Sequence, residues 1–280
     1  MIELCLANEF GKIYMSGGTG KSKLRLTGYS GFGLIPKERN TVQYAGRDGQ
    51  WLVSQTVPAR VMTLTGDIEV DSVRDATKQL ENMIHVFDHP CTLTIQIHSK
   101  IRAVDCVCTN LEFDDKTRAY QKFTAQFIAD IPYFYDPKPY RISVFGREKL
   151  IKSNIKTPCL FSRRTNQADI RICGGVKVEP VFYIYSGDNY QGEIEIRNNT
   201  YNQVIRFTHE VKKGETIQID VPNRKILSDM DGNITYQISD DTFLSNFWLG
   251  VGTNEIQLLS EHKNLTAVCE YKNLYIEAVI

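Results

Sequence analysis

The chain has 280 residues, with 33 basic and 33 acidic side chains and a formal net charge of zero. Each half balances by itself, 16 of each sign in residues 1–140 and 17 of each in 141–280, which speaks against a basic face built to grip nucleic acid. No apolar run approaches the roughly 18 residues of a membrane span, and the opening MIELCLANEFGK lacks the charged-then-apolar pattern of a secretory leader.

In chain order, Ile2–Ala7, Lys12–Met15 and Lys23–Gly28 read as strands, the last two joined by Ser16–Gly20. Gly20-Lys21-Ser22 imitates the end of a phosphate-binding loop. That loop needs a glycine five places before Gly20, where Met15 stands, and a helix to follow; here Lys23–Thr27 alternates instead, so a hairpin tip is expected. After Gly28–Gly33 (GYSGFG) come Thr41–Ala45 and Gln50–Val57, with Asp48-Gly49 between them as a hairpin signal. Arg47 and Asp48 at its tip are either solvated or in contact with another subunit; with Gly49, Trp51 and Arg60 they form the set of candidate subunit-interface residues. Pro58 marks a bulge or edge. Arg60–Glu69 is again strand-like, with Val61, Leu64 and Ile68 as its apolar residues. Asp71–Asp88 is the one helix, with Ser72 as N-cap and an apolar stripe of Val73, Ala76, Leu80, Met83, Ile84 and Phe87. His85 and His89 at its end fit helix capping better than metal binding. Thr92–His98, Ile101–Thr109 and Ala119–Ala129 complete an antiparallel meander.

Pro132, Pro137 and Pro139 then stop the alternation around Tyr133-Phe134-Tyr135, three rings that need cover. This is read as a packed joint between two domains, 1–137 and 138–280, each long enough to bury roughly two-thirds of its unfolded surface. The second is expected to be nearly all β, with strands every eight to twelve residues and an antiparallel sandwich as the result. Its last strand, Leu274–Val279, either finishes the sandwich or returns to the first domain. Tyr183, Tyr185, Tyr190, Tyr201 and Trp248 are core or, less simply, sugar-stacking rings, with Tyr190 and Trp248 the glycan-stacking candidates. Glu193 and Glu195 share a strand face, whereas glycosidase carboxylates sit on facing elements. The seven cysteines show no paired spacing and read as reduced, buried thiols, with Cys106-x-Cys108 a poor start for a zinc site. No catalytic set, metal site or cofactor motif emerges. The expected class is mainly β, a β-rich first domain with one helix and a second antiparallel β-sandwich.

Several of these pieces, in this order, resemble the distal tail protein of siphophages infecting Gram-positive bacteria, or of a related prophage. They are GYSGFG; GRDGQ (Gly46–Gln50) with Arg60 after it; the helix; ADIPYFYDP (Ala129–Pro137); and, in the second half, EIEIRNNT, FTHEVKKGETIQID, DGNITYQISDDTFLSNFWLGVGTNEI and NLYIEAVI. The family's F-x-L-x-P-G-x-N reads Phe247-Trp248-Leu249-Gly250-Val251-Gly252-Thr253-Asn254 here, without the proline. The resemblance implies a homo-oligomer, a hexameric ring formed by an N-terminal belt domain and possible stacking of two rings, with a galectin-like sandwich outside. It implies a place at the virion tail tip, joining tail tube to baseplate or fibre, and synthesis in the host bacterial cytoplasm. DNA would pass the channel without specific binding, no membrane is involved, and no enzyme activity is expected. The alternative reading is a carbohydrate-binding sandwich that touches cell-wall glycans.

Overall fold

The computed structural model describes residues 2–17, 24–70, 73–114, 120–149, 162–261 and 264–278. The chain divides into two compact units, one of residues up to Pro137 together with those from Tyr275 onward, the other Lys138–Leu274. Gly20-Lys21-Ser22, the Ser72 cap, Cys159 and Ala119 lie outside the described residues.

The first unit contains β1 (Ile2–Asn8), β2 (Gly11–Ser16), β3 (Leu24–Ser30), β4 (Glu38–Val42), β5 (Trp51–Thr56), β6 (Arg60–Glu69), α1 (Val73–Phe87), β7 (Cys91–Ile97), β8 (Lys100–Phe113), β9 (Tyr120–Ala129) and β10 (Phe134–Tyr135). Seven strands close on themselves in the order β7-β1-β2-β3-β6-β9-β8. Closure depends on β8, which bonds β7 through its first half and β9 through its second. Its register shifts between Cys108 and Asn110, so one long strand bends to serve two neighbours. The pairings are antiparallel except at β2–β3, which meet in parallel at Ser16 and Arg25.

Period-two alternation fills the barrel: Leu4 and Leu6, Ile13 and Met15, Leu24 and Leu26, Met62 and Leu64, Leu93 and Ile95, and Phe123, Ala125 and Phe127 all point inward. On β6 this sends Val61 outward, while Leu64 and Ile68 face the core. The helix lies on the barrel by Leu80, Met83, Val86 and Phe87. At 100° per residue the buried arc centres between Met83 and Phe87, which brings in Val86 and leaves Ile84, expected in the stripe, exposed. The Asn8 side chain ties the helix end by donating to the Val86 carbonyl at 2.8 Å.

The second unit contains β11 (Tyr140–Lys149), β12 (Ser162–Thr165), β13 (Gln167–Ile172), β14 (Val181–Ser186), β15 (Tyr190–Asn198), β16 (Gln203–Val211), β17 (Thr216–Asp220), β18 (Lys225–Ser228), β19 (Gly232–Asn233), β20 (Gly252–Leu259) and β21 (Leu265–Tyr271). They form two antiparallel sheets, β12-β11-β21-β14-β17-β18-β19 and β13-β20-β15-β16. One apolar core joins them. Phe182, Ile184, Ile217, Ile219 and Cys269 come from the first sheet, and Ile170, Ile194, Ile196, Phe207, Ile256 and Leu258 from the second. The fold is thus mainly β, a barrel-bearing unit with one helix and a sandwich. The strand expected over Ile234–Ser239 is a single 3-10 turn, Thr235–Gln237. The Asn233 side chain accepts from the Thr235 backbone and hydroxyl at 3.0 and 2.7 Å, and this local bonding displaces the ladder.

A last short strand, β22 (Leu274–Tyr275), pairs with β10 in the first unit's sheet. The Ala278 N–H donates to the Phe32 carbonyl at 2.9 Å.

Candidate assembly surface

Because the barrel is closed, β4 and β5 pair with each other and stand outside it as a two-stranded sheet. Two strands alone are marginal in water, and these bury almost nothing: every residue of both is exposed except Thr41. Several of the side chains at the sheet's outer end are nonetheless apolar. Trp51 is 61% exposed, Val53 67% and Tyr44 57%, and Val42 and Leu52 are exposed as well. Val42 and Trp51 stand opposite one another in the register. Besides the backbone ladder, two polar side-chain pairs stitch the arm internally, Thr41 Oγ1 to Gln50 Oε1 at 3.0 Å and Asn40 Nδ2 to Ser54 Oγ at 2.9 Å. At the tip the Arg47 N–H donates to the Tyr44 carbonyl at 3.3 Å, and Gly49 has φ +88, a left-handed turn that favours glycine. Arg47, Asp48, Gly49 and Trp51 therefore share one exposed arm.

Arg60, grouped with them from sequence, is placed differently. It is 2% exposed. Its Nε donates to the Pro132 carbonyl at 2.8 Å, Nη1 to the Gly31 and Gly33 carbonyls at 2.5 and 2.9 Å, and Nη2 to the Ile276 carbonyl. The guanidinium carbon lies 4.5 Å from the Phe134 ring centroid. Burial pulls its pKa down to about 10, opposed by Glu277, so the group stays charged at neutral pH. Gly31 has φ +84, and a Cβ there would stand 2.1 Å from the Val61 carbonyl oxygen, so glycine is required for the approach. The chain leaves for the arm at Gly33 and returns at Arg60, so this one side chain pins the root of the excursion. Next to the root, Val61, Ile128 and Val107 lie side by side on β6, β9 and β8, with Val61 and Val107 exposed.

The glycan-stacking candidates are less free. Tyr190 packs on the sandwich core and turns its hydroxyl back to the Glu193 carbonyl at 3.2 Å. Trp248 is half-buried, with Tyr201 4.4 Å away between ring centroids and the Lys177 ammonium 5.1 Å from its own. Glu195 is buried between Arg197 at 2.6 Å and Arg206 at 2.9 Å, an ion network that leaves no free carboxylate for Glu193 to pair with. His85 and His89 crowd the Phe10 ring, centroids 5.4 and 3.9 Å away.

Sequence reasoning missed a cluster of His209, Glu215 and Asp231, because one member lies in strand β16 and the other two in separate turns. Their ligand atoms lie within 4.8 Å of one another. They are spent on each other and on neighbours: His209 Nε2 to Glu215 at 2.8 Å, Ser228 Oγ and the Lys212 N–H on Glu215 at 2.5 and 2.7 Å, and the Lys212 ammonium on Asp231 at 2.6 Å. An ammonium at the mouth and filled carboxylate lone pairs make this a turn-fixing network. A shallow groove of about 420 Å³ on the barrel is lined by Arg25, Asp67, Asp114 and Lys122, with Arg25 and Asp67 paired at 3.3 Å.

Comparison with known proteins returns two family descriptions. Residues 21–129 match the phage tail protein RIFT-related domain, and residues 173–275 the siphovirus-type tail component, C-terminal domain. No curated protein matches the chain. Among solved structures, the crystal structure of SPP1 Dit (gp 19.1), described as a paradigm of the hub adsorption apparatus in Gram-positive infecting phages, matches with a TM-score of 0.72. Identity is 11%, over 98% of this chain and 99% of that one. Chains of the phage P2 baseplate in its activated conformation match with TM-scores of 0.56 with Ca and 0.53 with Sr, at 12% and 13% identity, each over 98% of both chains. At such identities the likeness to these structures is one of fold.

Proposed function

Since the chain belongs to the siphophage distal tail proteins, a family of structural tail components, we propose that six copies close into a ring at the tail tip, where the ring joins the tail tube to the baseplate and leaves a channel for DNA. The observation that carries this reading is the exposed β4–β5 arm. A closed barrel has no edge to offer a partner, so association falls to the surface the fold leaves apolar. Trp51, Leu52, Val53 and Val42 on one copy are suited to an apolar strip such as Val61, Ile128 and Val107 on the next. Two different patches in contact make a head-to-tail interface, which closes a ring when its rotation divides the circle. The number six rests on the family resemblance. The balanced charge suits a channel through which DNA slides. No chemistry is assigned to any site.

The test is the mass of the purified full chain by light scattering, with negative-stain micrographs. A particle of six or twelve chain masses with six-fold views is expected, and Trp51→Ser with Leu52→Ser should leave a folded monomer. A wild-type monomer at high concentration, or a double variant that assembles as well as wild type, would overturn the proposal. Glycan binding by the sandwich has less support, resting on the Tyr201–Trp248 corner alone.

A further inference from the structure

Cys91 opens β7 and Cys106 lies on β8, and the register sets them directly opposite each other. Both side chains are buried in the barrel core, with their sulfurs 3.9 Å apart. Opposed residues of an antiparallel pair hold their Cα atoms about 4.5–5.5 Å apart, inside the roughly 4.4–6.8 Å that a disulfide spans. Closing the sulfurs by about 2 Å to bonding distance needs rotation of the two thiols rather than movement of the strands.

From this geometry we infer that Cys91 and Cys106 form an intrachain disulfide under oxidising conditions, a cross-strand link that the sequence spacing conceals. The inference stands apart from the ring proposal. It adds that a chain assembled in a reducing compartment and later carried outside the cell would change its covalent structure. The co-reactant is a small-molecule disulfide. The Cys91 thiolate attacks it, breaking its S–S bond and expelling one thiolate. The Cys106 thiolate then attacks the mixed disulfide at Cys91 and expels the second. Two protein S–H bonds and one external S–S bond become one protein S–S bond and two external thiols. The hydrogen bond between the pair supports this order, since it holds the Cys91 thiol below its usual pKa, while that same contact and burial push Cys106 up. Cys91 is also the first residue of its strand. Cys108, two places on, is turned to the Asn110 carbonyl at 3.3 Å and does not compete.

The full chain should be treated with oxidised glutathione in its native state and, in parallel, refolded in an oxidising glutathione buffer. Free thiols are then blocked and the protein digested without reductant. The expected result in the refolded arm is a linked pair of peptides carrying Cys91 and Cys106, two hydrogens lighter than their sum, with five of the seven cysteines titrating as thiols. In Cys106→Ser the link disappears and Cys91 carries a glutathione adduct. Recovery of both residues as blocked thiols in both arms, or linkage of either to a different cysteine, would overturn the inference.

Discussion

Arg60 shows how much one side chain can organise. Four carbonyls converge on its guanidinium, from Gly31, Gly33, Pro132 and Ile276. A planar fork of donors suits that task, and an ammonium does not. Removing it leaves several buried acceptors without a donor. Arg60→Met should therefore cost about 3 kcal/mol, and Arg60→Lys should recover less than half of that, read from urea unfolding of the full chain. A loss below about 0.5 kcal/mol, typical of surface substitutions, would show that water replaces the guanidinium. The sequence displayed the partners of this site without their meeting. GYSGFG, IPYF and the C-terminal YIEA stand out as motifs, but the Ile276 contact spans 216 positions, and no local pattern encodes such a distance. Asn254 was similarly legible as a motif residue only. In the fold it is wholly buried, and its amide bonds the Gly250 N–H and carbonyl at 2.8 Å each, closing the turn that lacks the family's proline.

Strands were more legible than their partners. Alternation marks β1, β6, β7 and β9 because one face of each is buried and the other wet. It is silent on the bulge in β8 that turns a meander into a barrel, since a register shift changes pairing without changing composition. The β4–β5 hairpin was legible from Asp48-Gly49, while its exposure was not, because burial depends on what fails to pack upon it. Turns in the sandwich are tied by Glu215, which is wholly buried and receives His209, Ser228 and the Lys212 N–H. Burial alone would raise its pKa, but these three donors outweigh it and hold the carboxyl below its usual value. A carboxyl depressed in the folded state stabilises fully above its unfolded pKa near 4.3, and that stabilisation is lost as pH falls through the folded value. Glu215→Gln should thus be less stable than wild type by about 2 kcal/mol at pH 7, and the gap should shrink as the pH drops below about 4. Urea midpoints of both proteins at pH 7, 5 and 3 check this; a gap that stays constant across the series would assign Glu215 a purely steric role.

At the scale of the whole chain, two readings from sequence, balanced charge and a mainly β class, needed only composition and periodicity. The path of the C-terminus needed coordinates, because Leu274–Val279 alternates equally well for either sheet. In the fold, Tyr275 stacks under Arg102, 3.5 Å from its guanidinium carbon to the ring centroid, and donates its hydroxyl to Asp136 at 3.1 Å. Arg102 holds the same carboxylate at 2.7 Å. Ile276 feeds Arg60, and Ala278 reaches Phe32, whose ring stacks on Tyr29 beside the root of the exposed arm. The last residues of the chain thus brace the place from which the arm departs. A chain ending at Leu274 keeps the sandwich whole and strips these contacts from the first unit. The loss of a half-buried aromatic contact, a hydrogen bond to a charged group and one acceptor partner of Arg60 is worth about 3 kcal/mol. For a unit of this size that corresponds to a fall of roughly 10 °C in its melting temperature. Calorimetry of the truncated chain should show the barrel transition lowered and the sandwich transition unmoved, and light scattering should show weaker assembly as the arm loses its anchored root. If the barrel melts unchanged, the returning strand is an ornament of the fold; if it melts early but assembly survives, the arm is held by something other than Arg60 and its carbonyls.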